Sequence, residues 1–272
     1  MGEIKIMECT SNLTIDSFRE EDYVRLMDKI YVHKSIDLKK KIYHYLPLEY
    51  LLPILENNKF RISNRRNFTD LSEKGQKGDI KKCFRMCYSS PDNKEREINL
   101  IRENELSEKI RISYSICVSC WTYDTHIVEG LGNEVDENFL MWKAYTGGIT
   151  GVRIETTIDD FLNSIKETPC YILVRNVEYK KESFTNTVEE SIFTKTIYYD
   201  KEQELRICAL CSDDKLCLDV DVSKMIHGIC LSPFISNTYA DFIKRSLEKK
   251  YEFLQEKIKK SRLLEYKKEC LI

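Results

Sequence analysis

Membrane spans, phosphate loops and nucleophile elbows are all missing from this chain. No apolar run approaches the ~20 residues that cross a bilayer. The N-terminus, MGEIKIMECTSN, has no basic segment followed by an apolar one, so no secretory signal is expected. Glycine is scarce, nine in 272 residues, and none of the nine builds a GxGxxG turn or a P-loop. GLGNE at 130–134 lacks the third glycine, and GxSxG is absent. There are only four histidines, His33, His44, His126 and His227, with no HExxH or HxH spacing, which removes the common zinc-hydrolase signatures. Charge of one sign is lacking too. Lys+Arg 43 against Asp+Glu 45 leaves a net charge of −2, which is no footprint for a phosphate-backbone binder.

What is present is a chain of globular composition, 42% apolar and 32% charged, with eleven scattered cysteines. An odd number of thiols fits a reducing cytoplasm better than a disulfide framework. Cys117-x-x-Cys120 and Cys208-x-x-Cys211 have zinc-ribbon spacing, but both pairs fall in expected strands, where residues three apart face opposite ways. Buried thiols are the reading they favour, and no metal is expected.

No repeat or linker divides the chain, so residues 1–272 read as one domain with a core over 41–235. Phe18, Tyr23, Leu26, Met27 and Ile30 stand at helical spacing and predict a helix over 15–31. KIYHYLPLEYLLPILENNKFRIS, 41–63, predicts strand, helix, strand, with Pro53 kinking or shortening the helix. Residues 72–110 are polar and read as a surface insertion. Strands follow at 111–121, at 148–156, at 170–179 and at 203–210, with helices at ENFLMWKAY, IDDFLNSIKE and VEESIFTKTIYYDKE. Ile243, Leu247, Tyr251, Leu254 and Ile258 predict a long amphipathic helix over 237–267. Strands and helices mix without βαβ alternation, so the fold class is α+β. In EQELR, Glu202 and Glu204 stand two apart at a strand start, which would aim both from one face, with Arg206 on that face to orient Glu204.

Four segments together resemble the bacterial domain of unknown function family 2971. They are YHYLPLEYLLPILENNKFRISNRRNFTDLSE, then CVSCW with ENFLMWKAYTGGITGVRIE, then FTKTIYYDKEQELRI, and last VSKMIHGICLSPFISNTYADFIKRSLEKK. They carry the patterns M-W-x-x-Y, G-V-x-I and K-x-x-x-(Y/W)-x-x-E-x-E-x-R. The phrase close to F-N-D-P-F-E keeps Phe68, Asp70 and Glu73 but has Thr69 and Leu71 in place of Asn and Pro. The resemblance spans roughly residues 42–250 and carries no assigned reaction.

The motif order also resembles that of the ADP-ribosyltransferases. Their core opens on a strand with His or Arg beside an aromatic, continues to a middle strand with a Ser or Tyr motif, and ends on a strand with Glu, sometimes as E-x-E. That resemblance implies a core of two packed small β-sheets with flanking helices. It gives His44 the first position beside Tyr43, Ser119 or Tyr145 the second, and Glu204 with its partner Glu202 the third. VSCW departs from S-T-S, and Asn57-Asn58 replaces the usual Gly.

The chemistry implied is cleavage of the nicotinamide–ribose bond of NAD, the substrate, through an oxocarbenium-like transition state. Glu204 would stabilise the cationic sugar, Glu202 would act as, or position, the general base, and Trp142, Tyr145, Arg206 and His44 would help hold the nucleotide. The ADP-ribose acceptor, protein or nucleic acid, stays open, and a toxin or anti-phage role is the expected setting. The alternatives are an inactive nucleotide-sensing or interaction module on the same fold, and a nucleic-acid-acting defence enzyme.

Overall fold

Residues 23–33 form a hairpin rather than a helix. In the computed structural model, which describes residues 20–68, 116–123, 126–127, 134–135, 137–147, 150–181, 188–211 and 215–263, β1 (Tyr23–Met27) pairs antiparallel with β2 (Ile30–His33). The turn between them uses Lys29 at a left-handed φ of 58°. The helical spacing of the apolar residues is real, but Tyr23, Ile30, Tyr31 and Val32 are aromatic or β-branched and fit a pleated surface better. Residues 15–19 and the expected insertion at 72–110 lie outside the described residues.

The opening stretch folds as expected, with β3 (Lys41–Pro47), α1 (Leu48–Asn57) and β4 (Lys59–Asn64). The α1 helix runs through Pro53, buries Leu51, Ile54 and Leu55, and ends where Asn58 turns left-handed and donates its N–H to Ile54 O. Then come β5 (Cys117–Thr122), the short pair β6 (His126–Ile127) and β7 (Glu134–Val135), and α2 (Phe139–Tyr145). Asn138 caps α2 by accepting from the Leu140 and Met141 N–H groups. The chain continues through β8 (Gly151–Thr157), α3 (Ile158–Ser164), β9 (Ile165–Glu167), β10 (Ile172–Asn176) and β11 (Glu178–Lys180).

The expected helix over VEESIFTKTIYYDKE divides in three: α4 (Val188–Phe193), β12 (Thr194–Thr196) and a 3-10 helix, Ile197–Glu202. After it come β13 (Glu204–Ala209), β14 (Lys215–Val220), α5 (Val222–Met225) and β15 (Gly228–Leu231). The last helix, α6 (Asn237–Lys250), is shorter than expected. Leu254 closes a 3-10 turn and Ile258 opens β16 (Ile258–Lys260). Both residues are still core, so the periodicity found buried side chains and misjudged the element that carries them.

Among the described residues twelve strands join one mixed sheet, so two separate small sheets are not what forms. Its main order is β1-β2-β10-β13-β5-β3-β8-β15-β16, and β4, β14 and β9 branch from β5. β5 is the fork: Thr122 pairs with Tyr43 of β3, whereas Val118 and Cys117 pair with Ser63 and Asn64 of β4. One sheet face carries the larger core, with Ile42, Leu46, Trp121, Ile154, Leu205 and Ile207 packed under α1, α3 and the β4–β14 branch. The other face carries Tyr43 and Tyr45 beneath Met141 and Trp142 of α2, and a further cluster with Ile192 and Phe193 of α4. No helix among the described residues is long and apolar enough to cross a membrane.

Candidate functional site

Directly opposed residues of antiparallel neighbours share a face. Glu204 of β13 opposes Thr122 of β5, which opposes Tyr43 of β3, and Arg206 opposes Cys120. Tyr43, Glu204 and Arg206 therefore stand on one face. His44 and Ser119, one position out of step, stand on the other. The expected convergence of His44 and Ser119 with Glu204 does not occur. The reason is register: a strand turns successive side chains to opposite sides, and this pairing puts Tyr43, not His44, in the row of Glu204.

His44 has a different job. Its Nδ1–H donates to Cys120 O at 2.8 Å, at the fork where β3 and β4 part. Its ring lies 4.9 Å from the Trp121 ring and 5.5 Å from Phe60. Burial holds its pKa down at about 4, so the ring is neutral near pH 7. Ser119 is buried on the same face, and its hydroxyl has no hydrogen-bond partner among the described residues.

On the tyrosine face the K-x-x-x-Y-x-x-E-x-E-x-R segment closes on itself. Lys195, on β12, lies beside Tyr179 of β11, and the 3-10 helix Ile197–Glu202 then returns the chain toward it. Lys195 Nζ reaches Glu202 at 2.6 Å and Glu204 at 3.2 Å, and sits 4.7 Å from the centre of the Tyr199 ring. Arg206 holds Glu204 through Nε at 2.8 Å and Nη2 at 3.1 Å, and donates to Ile192 O through Nη1. The Glu204 N–H donates to the Tyr179 hydroxyl at 2.8 Å. Tyr145, from M-W-x-x-Y, donates its hydroxyl to Glu202 at 3.2 Å. Trp142 is fully buried beneath, edge-on to Tyr45 at 4.9 Å, with Nε1–H donated to Glu137 at 3.1 Å.

Glu202 and Glu204 meet the same lysine, but not by strand alternation as expected. Glu202 ends the 3-10 helix, and Gln203 between them is left-handed, φ 44° and ψ 50°. A β-branched residue is strained there. Gln203→Val is expected to cost about 1–2 kcal/mol, and Gln203→Gly to fold at least as well as wild type. Urea denaturation of the pair checks this, and equal stability of the two variants would contradict it.

The environments push the two carboxyls apart. Burial alone would raise Glu204, but Arg206 and then Lys195 overcome it and hold the carboxyl at about 2. For Glu202 burial prevails over Lys195, and its pKa rises above the ordinary range. Burial also raises Tyr145 far above the usual phenol. The Glu204 side chain is 2% exposed and that of Glu202 17%. The cluster thus has an inner carboxylate that stays ionised at neutral pH and an outer one that holds a proton more readily than an ordinary glutamate. Lys195 is not among the residues expected at the site, although it opens the motif. Tyr179 had no signal in its surroundings. Among the described residues no group of three His, Cys, Asp or Glu is placed to hold a metal ion.

No family model matches the chain, and no curated protein or solved structure matches it either.

Proposed function

We propose that the Lys195–Glu202–Glu204–Arg206 cluster is the centre of an ADP-ribosyltransferase-like enzyme that cleaves the nicotinamide–ribose bond of NAD. The observation that carries this reading is one lysine bridging two carboxyls whose proton affinities are driven in opposite directions. Such a pair divides the labour of acid–base and electrostatic catalysis. Glu202, the outer carboxyl, meets the ribose and accepts the proton of the incoming nucleophile. Glu204 keeps a fixed negative charge that favours the cationic sugar and holds Lys195 and Arg206 in place. It is a positioning residue, because its oxygens are already engaged. Glu202, Tyr145 and the half-exposed Tyr199 are what this face offers the nicotinamide–ribose end of the substrate. His44 and Ser119, turned to the other face, have no part in this version.

The adjacency of the three motif-bearing strands, β3, β5 and β13, supports the resemblance from which the reading began. The test is release of labelled nicotinamide from NAD by wild type and by Glu202→Gln. Loss of a general base lowers the rate about 10²–10⁴-fold, and a cooperative urea transition in the variant excludes misfolding. Wild-type protein that neither releases nicotinamide nor binds NAD would refute the proposal.

A second reading, a nucleotide-binding module without turnover, is favoured by one observation. Glu204 is 2% exposed and saturated by Arg206 and Lys195. NAD binding with no nicotinamide release identifies that case.

A further inference from the structure

Lys195 does not stand on the main sheet. Among the described residues its three-residue strand, β12, pairs with β11 alone, in a separate two-stranded sheet. Glu204 and Arg206 stand on β13 of the twelve-stranded sheet. The lysine is carried to the glutamates by the element just before it, the six-residue α4. A helix that short has little stability of its own, so its place is set by what holds it.

Polar groups hold α4 at both ends. At the last turn, carbonyls that a helix leaves without internal partners accept from guanidiniums. Ser191 O accepts from Arg65, just past β4, and Ile192 O accepts from Arg206. At the first turn Glu189, 5% exposed, accepts from the Tyr23 hydroxyl of β1 at 2.8 Å and from Arg175 of β10. Arg175 directly opposes Arg206 across β10 and β13, so two guanidiniums share one face. Each has its own buried carboxylate, Glu189 for the first and Glu204 for the second. Bonded groups thus run without a break from the N-terminal hairpin, through α4, to the site.

We propose that Glu189 is a positioning residue: by fixing the first turn of α4 on the main sheet, it sets where Lys195 stands between Glu202 and Glu204. The inference deepens the transfer reading and rests on it for any effect on rate, whereas the geometry it asserts is independent of NAD.

Glu202 reports that geometry. The titratable and charged groups that face it are Lys195, Glu204 and Tyr145. Lys195 favours the ionised carboxyl, so a lysine displaced from Glu202 raises the proton affinity there. Plain removal of a negative charge at Glu189 does the opposite, because fewer carboxylates nearby favour ionisation of the rest. The two explanations differ in sign.

The test is a carboxyl-carbon NMR titration of the full chain labelled at glutamate, with Glu202 assigned by its absence in Glu202→Gln. Glu189→Ala removes both acceptor bonds and is expected to shift the Glu202 titration upward. Glu189→Gln keeps an oxygen for Tyr23 and Arg175 and is expected to stay at or just below wild type. Tyr23→Phe removes one of the two bonds with no change of charge. It is expected to give a smaller upward shift, and it carries the test if Glu189→Ala fails to fold. A downward shift common to both Glu189 variants would overturn the proposal. So would a Glu202 that moves in neither Glu189→Ala nor Tyr23→Phe. Nicotinamide release by the same proteins is expected to lose about tenfold to a hundredfold in kcat in Glu189→Ala, with Glu189→Gln near wild type. Wild type that releases no nicotinamide, beside an upward shift in Glu189→Ala, would sink the transfer reading alone and leave the positioning role standing.

Discussion

Replacing Arg206 with methionine is expected to lower the unfolding free energy by about 3–5 kcal/mol, the largest stability effect of any single change at the site. Arg206 is fully buried, and it makes both contacts that neutralise Glu204 from its own strand. Methionine fills much of the same volume, so packing changes little. What changes is that Glu204 keeps its charge with Lys195 alone, and that lysine is shared with Glu202. An unpaired buried carboxylate is far costlier than the pair is worth. Adding Glu204→Leu to Arg206→Met is therefore expected to recover most of the loss, because Lys195 retains Glu202. Equilibrium urea denaturation reads both values. A loss below about 1 kcal/mol for the single variant would mean that water reaches Glu204.

The second large effect is in acid. The His44 pKa is held at about 4 in the folded chain against 6.5 in the unfolded one. Between those pH values the unfolded chain binds a proton that the folded chain refuses. Stability is therefore full above pH 6.5 and falls as pH drops toward 4, by about 2–3 kcal/mol for this one ring. His33 is also held down, by burial and by Arg175, and adds to the same window. Glu204 acts lower. Its carboxyl, at about 2 against 4.5, contributes stability that is present above pH 4.5 and lost only as pH falls toward 2. His44→Gln keeps a donor for Cys120 O but cannot titrate, so urea midpoints measured across this range should fall much less between pH 6.5 and 4. An unchanged slope in that variant would show that His44 is hydrated and free to charge.

Legibility of the sequence varied with the distance over which each feature is decided. Local elements with strong periodicity, β3, α1, β4, α2, β8 and α6, were expected near where they stand. The N-terminal hairpin was not, because Tyr23, Leu26, Met27 and Ile30 satisfy a helical period and a hairpin alike; only the parallel pairing of β2 with β10 distinguishes them. Leu254 and Ile258 were correctly assigned to the core and wrongly to a helix. At the site, Glu202, Glu204 and Arg206 stand together because a compact motif holds them within one turn and one strand, whereas Tyr145 reaches Glu202 from M-W-x-x-Y, 57 residues earlier. His44 and Ser119 were not separable from them. Their side of the sheet depends on register between strands about 80 and about 160 residues apart, and a shift of one residue reverses every side chain. The left-handed Gln203 was equally hidden, since nothing in glutamine announces it.

The fork at β5 has a kinetic meaning. Asn64 must find Cys117 about 50 residues downstream, and closing a loop of that length costs roughly 3.5 kcal/mol of chain entropy before any contact repays it. The β3–β5 edge spans a still longer separation, and both edges draw on the same six-residue strand. Pairing across β5 therefore belongs to the late, rate-limiting part of folding, after α1 has already joined β3 to β4 locally. Until that strand is seated, Trp121 and its aromatic neighbours stay wet and both sheet faces remain without a floor. A nascent chain of this protein would be most vulnerable to aggregation in that interval.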